Sequence, residues 1–379
     1  MPHTVLGLIM GTCNHCKSSA PVISDTIGFC ADCIRNHYSD VWPQIKSVHD
    51  ESRRRYGLPE DPPRAEDGVT CPLCFHGCSI PEGGCGYCGL RHVEGRRLKG
   101  GRPHEGNLTY YHDPLPTNCV ADFVCPGGSE AGYPEYSVAQ GPEYGFKNLA
   151  VFYQACSFNC LYCQNYHYRE SSRERGTITA QHLADAADER TTCMCYFGGD
   201  PGPQIFHAIR ASEIALTQAG GRALRICWET NGSMQRPFLK RVAELSIGSG
   251  GSVKFDLKAW DDGIHHALCG VSNQHTRRNF AWLGEWIVQR PQPPFVVAST
   301  LLVPGYVDER EVAHIAAFIA SVNPQIPYRL LAFHPDFYLR DLPATSRSHA
   351  EECRDAALRA GLTCVSIGNL HLLGQDQYY

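Results

Sequence analysis

Leu149-Ala150-Val151-Phe152-Tyr153-Gln154-Ala155-Cys156-Ser157-Phe158-Asn159-Cys160-Leu161-Tyr162-Cys163-Gln164-Asn165 joins an apolar run of strand length to a Cys-x3-Cys-x2-Cys spacing. Three thiolates within eight residues wrap one face of a four-iron cluster, whose usual complement is four cysteines. The fourth iron is then left without a protein ligand, the open position that a catalytic metal keeps and a structural one closes. By spacing alone, a structural zinc that borrows a fourth ligand such as His167, or a ferredoxin-like electron carrier, fits the same run.

Outward from this stretch the chain alternates short apolar runs with longer helical patterns. Strands are expected at Leu149 to Gln154, Cys193 to Phe197, Leu224 to Glu229, Val253 to Leu257, Phe295 to Val303, Tyr328 to Phe333 and Cys364 to Ile367. Helices are expected at Ala180 to Glu189, Gln204 to Gln218, Gln235 to Leu245, Thr276 to Val288, Glu309 to Ser321 and Ser348 to Ala360. Such alternation predicts an α/β fold: a partial or full parallel (β/α) barrel. The polar and glycine-rich signals fall just after the strands, the end of a parallel barrel where active sites form.

Three of these signals stand at strand ends: Gly198-Gly199-Asp200-Pro201, Glu229-Thr230-Asn231-Gly232 and Asp256-Leu257-Lys258. Singly, a Gly-Gly turn is ordinary loop chemistry and a strand-end carboxylate is usually solvated or capping. As an ordered set with Cys156, Cys160 and Cys163, they resemble the radical S-adenosylmethionine (SAM) superfamily, most closely its branch of pyruvate formate-lyase activating enzymes. Phe255-Asp256-Leu257-Lys258, Ile264-His265-His266 running into Gly270-Val271-Ser272-Asn273, and Val303-Pro304-Gly305 extend the likeness. The resemblance implies a 4Fe-4S cluster on Cys156, Cys160 and Cys163 and SAM amino-group binding at Gly198, Gly199, Asp200 and Pro201. It further implies carboxylate contacts from Lys258, and a monovalent cation held near SAM by Glu229, Thr230 and Asp256. Tyr162 suits packing on the adenine, and Asn231 completes the third strand-end set. Asp200 stands where the Gly-Gly-Glu pattern usually has Glu, and no Arg precedes Val303-Pro304-Gly305.

The N-terminal third uses cysteine differently. Cys13-x2-Cys16 and Cys30-x2-Cys33 have the spacing of a zinc-ribbon-like site, since four thiolates close a tetrahedron around one ion. A second group, Cys71, Cys74, Cys78 and Cys88 with the extra thiol Cys85, is similar to the signature of a radical SAM family named for its association with AMMECR and Memo proteins. Phe75 departs from that signature. Zinc and an auxiliary iron-sulfur cluster both accept four thiolates there. Cys119 and Cys125 are placed to complete that site or to approach the substrate. Cys193, Cys195, Cys227 and Cys364 read as small core residues, as buried free cysteines commonly are.

These patterns divide the chain into a zinc-ribbon-like module (1–63), a second Cys-rich metal-binding region (64–140) and the barrel (141–379). With 379 residues, core burial is ample without crosslinks, so the 20 cysteines are not there for stability. A net charge of -5 supplies no basic field for nucleic acid or anionic membrane. Val5 to Met10 lacks a preceding cation and is too short for a signal peptide; it reads as a strand entering the first metal site. Clustered CxxC pairs suit a reducing cytoplasm.

The function expected is that of an oxidoreductase. An electron from a flavodoxin- or ferredoxin-type donor reaches the cluster, SAM is cleaved to a 5'-deoxyadenosyl radical, and the radical takes hydrogen from a substrate. An activating enzyme acting on a protein or peptide partner is the first reading, and modification of a small metabolite the second. A zinc-ribbon nucleic-acid-binding protein is the third, against which the acidic balance argues.

Overall fold

The computed structural model describes residues 10–375 and Tyr378. The strand expected over Val5 to Met10 lies outside the described residues except for Met10.

The apolar runs pair into one eight-stranded sheet: β1 Leu108–Pro114, β2 Lys147–Tyr153, β3 Thr191–Phe197, β4 Arg225–Thr230, β5 Val253–Asp256, β6 Val296–Leu302, β7 Tyr328–Ala332 and β8 Val365–Gly368. Spatial order follows chain order, β2 to β8 are parallel, and β1 pairs antiparallel along β2. β1 and β8 are its two edges, so the barrel is partial and the fully closed alternative is not formed. β1 is half exposed and polar, which is how a sheet edge avoids pairing with other chains.

Because side chains alternate along a strand, Cys193, Cys195 and Phe197 share one face of β3 while Met194 and Tyr196 share the other. The outer set, with Ile226, Trp228, Val253 and Phe255, is fully buried. After α1 Ala31–Asn36, α2 Tyr38–Arg54, α3 Tyr168–Ser171 and α4 Ala180–Asp185, helices supply the covering layer: α5 Ile205–Ala219, α6 Arg236–Ser249, α7 Asp262–Cys269, α8 Gln274–Gly284, α9 Glu309–Val322 and α10 Arg347–Arg359. A short helix, Ala180–Asp185, is capped by the Thr179 hydroxyl, which accepts from the His182 amide. The inner face is consequently the polar one, carrying Glu229, Lys254, Asp256 and Ser299.

Ahead of the sheet, hairpins with strands of two or three residues and two helices, Ala31–Asn36 and Tyr38–Arg54, pack on the barrel. The second runs through Pro43. It enters the core: the buried His49 lies with its Nε2 3.1 Å from the Ala267 carbonyl at the end of α7.

Candidate metal and cofactor site

The Cys156–Cys163 loop is fixed from three sides. The amides of Asn159 and Leu161 donate to the Cys269 and Leu268 carbonyls, which end α7 and would otherwise lack partners. Asn159 Nδ2 donates to His49 Nδ1 (3.0 Å) and to Ser52 Oγ (2.9 Å), tying in the N-terminal helix. Arg169 Nη1 donates to Asn159 Oδ1 at 2.5 Å. Below the loop, the Ser157 carbonyl meets His76 Nε2 at 2.7 Å, so the second Cys-rich region packs directly against it.

Held this way, the three thiols face a cleft of about 240 Å³. Tyr162, Gly198, Gly199, Asp200, Glu229, Thr230, Asn231, Asp256 and Lys258 line the same cleft, together with Ser299 and Leu331. Neighbouring strands from β2 to β7 thus contribute to one opening at their C-terminal ends. Pro201 does not line it; it starts the turn into α5.

The Gly198-Gly199 turn requires glycine twice. Both have positive φ, 67° and 56°, and a Cβ on Gly199 would stand 2.3 Å from the Tyr153 carbonyl oxygen and 2.4 Å from that of Ala155. Asp200 is not presented to the cleft as a free carboxylate. Its Oδ1 accepts from the Gly202 amide (2.8 Å), and its Oδ2 from the Asn231 amide (2.8 Å) and the Thr230 hydroxyl (3.0 Å). Burial pushes its carboxyl up to about 6 against those hydrogen bonds, which favour the anion. Asp200 therefore clasps the turn to the end of β4.

Charge in the cleft is arranged in pairs. Lys258 Nζ donates to Asp256 Oδ2 at 2.8 Å, and Asp256 Oδ1 accepts from Ser299 Oγ at 2.8 Å. Glu229 pairs with Lys254 at 3.0 Å. Lys254, which the strand pattern concealed, is only 1% exposed and also donates to Cys119 Sγ and Cys195 Sγ.

The residues fit a thiolate-bound anionic centre. Asn231 Nδ2 donates to Cys156 Sγ at 3.6 Å and the Phe158 amide to the same sulfur at 3.4 Å. Arg169 is buried, lies within the field of all three thiols, and has its Nε and Nη2 without partners. A buried guanidinium with only Nη1 hydrogen-bonded is costly unless an anion stands beside it. Burial pushes the Cys163 thiol up to about 11 and Cys156 well up, whereas the hydrogen bond from Cys269 pulls Cys160 down to about 7. Arg169 and Cys269 were missed from the sequence, because neither belongs to a spaced motif.

The other two groups separate by geometry. The sulfurs of Cys13, Cys16, Cys30 and Cys33 lie within 4.8 Å of one another, with Cys16 and Cys30 3.8 Å apart, close enough to share one ion. Cys71, Cys74, Cys78 and Cys88 surround a small enclosed space of about 20 Å³ with His76 and Arg91, and Cys85 stands outside it. Cys119 and Cys125 do not join that group; they face the inside of the barrel.

A partial β/α barrel with this site defines the class: residues 150–319 match the Radical SAM superfamily, so the chain carries a radical SAM domain. Within the class it is homologous to pyruvate formate-lyase 1-activating enzyme of Escherichia coli, 27% identical over 192 residues, covering 48% of this chain and 73% of that protein. It is also similar to uncharacterized protein MJ0808 of Methanocaldococcus jannaschii, 24% identical over 315 residues, 80% of this chain and 82% of that one. Among solved structures, a domain of pyruvate-formate lyase-activating enzyme from Bacteroides vulgatus aligns over 46% of this chain and 98% of its own, at 22% identity and a TM-score of 0.37. No helix among the described residues is long and apolar enough to cross a membrane.

Proposed function

We propose that the protein is a radical SAM enzyme of the activating type, which abstracts hydrogen from a protein or peptide partner. The observation that carries the reading is the convergence of three thiols, the Gly198-Gly199 turn and the paired charges of Asp256 and Lys258 on one cleft. Cys156, Cys160 and Cys163 would hold a 4Fe-4S cluster, and the Gly198–Asn231 rim with Asp256 and Lys258 would hold SAM. When bound, these groups supply an electron and a 5'-deoxyadenosyl radical that takes a hydrogen atom from the partner.

The chain's own part is positional and electrostatic. Arg169 and the Asn231 amide offset the negative charge of the ligating sulfurs, Asp200 fixes the turn that cradles an ammonium group, and Lys258 offers a cation to a carboxylate. Lys254 already places an ammonium beside Glu229, where the family likeness calls for a monovalent cation. A zinc ion on Cys13, Cys16, Cys30 and Cys33 belongs to the same reading, as do a low-potential flavodoxin- or ferredoxin-type donor, a cytoplasmic setting, and a division into 1–63, 64–140 and 141–379. Support for a protein substrate comes from the relatives, whose names describe activation of a lyase.

Deuterium tracing tests it. The reduced enzyme, supplied with SAM and either deuterated candidate protein or deuterated metabolite extract, is expected to transfer deuterium into 5'-deoxyadenosine from the protein fraction. Transfer from the small-molecule fraction alone contradicts the activating role.

A further inference from the structure

Five thiols that the cleft does not use surround a second cavity deeper inside the barrel. Cys193 and Cys195 project from β3 and Cys227 from β4, while Cys119 and Cys125 reach in from the segment between β1 and β2. Cys193 Sγ and Cys227 Sγ are 3.6 Å apart. Lys254 Nζ stands 3.2 Å from Cys119 Sγ and 3.1 Å from Cys195 Sγ. Cys125 is near enough to Cys119 and Cys227 for each to feel the other's charge.

Plain core packing does not account for this set. Buried free cysteines behave as small hydrophobes among apolar neighbours, yet here the neighbours include an ammonium and the Arg225 guanidinium, 1% and 2% exposed. Arg225 is matched by the buried Glu143, with Nη2 2.6 Å from Oε2. Among the described residues Lys254 pairs with one carboxylate, Glu229, and directs its other hydrogen bonds at sulfur. A neutral thiol is a weak acceptor, whereas a thiolate satisfies a buried ammonium through a charge-assisted bond. Burial pushes the Cys119 and Cys195 thiols up, so a bound metal that replaces their protons is what turns them into charge-assisted partners for Lys254. A single ion needs its sulfurs close together, as the N-terminal four lie within 4.8 Å of one another; this set is spread over two strands and a loop.

We propose that Cys119, Cys125, Cys193, Cys195 and Cys227 form a further cofactor site inside the barrel, which takes an iron-sulfur cluster on four of the five thiolates with Lys254 as counter-cation. Each ligating thiol exchanges its proton for an iron atom, and the protons leave to solvent. The site adjoins the SAM cleft: Val120 and Glu229 line that cleft, and Cys119 Sγ is 3.9 Å from Glu229 Oε1.

The proposal goes beyond the SAM assignment and is tested without it. The full chain carrying Cys156→Ala, Cys160→Ala and Cys163→Ala is reconstituted anaerobically with iron and sulfide, with and without Cys119→Ser plus Cys125→Ser, and iron, sulfide and zinc are counted. The two loop substitutions are expected to remove about two to four iron atoms per chain and as many sulfides, the content of one cluster, while zinc stays constant. Unchanged iron and sulfide overturn the proposal, and loss of zinc alone replaces the cluster by a single ion. As a second reading that leaves the strands and loop unaltered, Cys119 and Cys125 of the triple variant should be protected from an alkylating reagent when iron and sulfide are present and modified when they are not. Equal modification in both states contradicts the site.

Discussion

At the scale of single residues, the decisive positions are those with no alternative. Gly199 is one: φ is 56° and a Cβ would meet two backbone oxygens that cannot yield. Gly199→Ala is expected to cost more than about 2 kcal/mol, the left-handed penalty of about 1 to 2 kcal/mol plus the clash. Urea unfolding checks the stability, and SAM cleavage should be lost with it. Glu143 is another, because among the described residues it is the one carboxylate paired with the buried Arg225. Glu143→Ala leaves that cation unpaired, and a loss of about 3 to 5 kcal/mol is expected in the same measurement. The Cys156, Cys160 and Cys163 set was legible in the sequence because its spacing is local. Arg169, Cys269 and Lys254 were not, since only tertiary packing brings them to the thiols from more distant positions. Asp200 was legible as part of the turn, but its hydrogen bonds, and hence its role as a clasp, were not.

At the scale of elements, the strands and helices after Leu149 were legible to within a few residues, because each buries one face and the period shows. β1 was not: Leu108–Pro114 is an edge strand with polar, half-exposed residues, so it has no clear alternation. α7, Asp262–Cys269, has no legible period, since eight residues are too few for one to stand out. Its C-terminal carbonyls nonetheless anchor the cysteine loop. The helix Tyr38–Arg54 adds His49, which burial holds down at about 4, as it does His207 and His265. Their folded values lie below the unfolded value near 6.5, so the stability they contribute is complete above about pH 6.5 and is lost as pH falls toward 4. Thermal melting of the apoprotein is expected to drop steeply over that window, and His49→Gln to flatten part of the drop. An unchanged pH profile in the variant would show that His49 is not held neutral.

At the scale of the whole molecule, the N-terminal four-cysteine site is fastened to the barrel. Ser24 Oγ and the Asp25 amide donate to Asp341, the Tyr306 hydroxyl donates to the Phe29 carbonyl, and Arg35 reaches Glu311 at 3.2 Å. CxxC spacing made the four-cysteine group legible; its docking surface was not, because charge pairs between distant segments have no local signature. A structural zinc contributes folding free energy on the order of 10 kcal/mol. Cys13→Ala is therefore expected to lose one zinc by metal analysis and to melt the N-terminal part early, while uncoupled SAM cleavage by the barrel continues. Zinc content unchanged in the variant would remove the basis for that assignment.

The central claim concerns the three thiols at the end of β2. The most direct measurement is 5'-deoxyadenosine released from SAM by the anaerobically reconstituted, reduced protein, compared with the chain in which Cys156, Cys160 and Cys163 are all alanine. Release by the wild-type chain and none by the variant, which should also lose one cluster's iron, is the result predicted here. Equal release from both would contradict it.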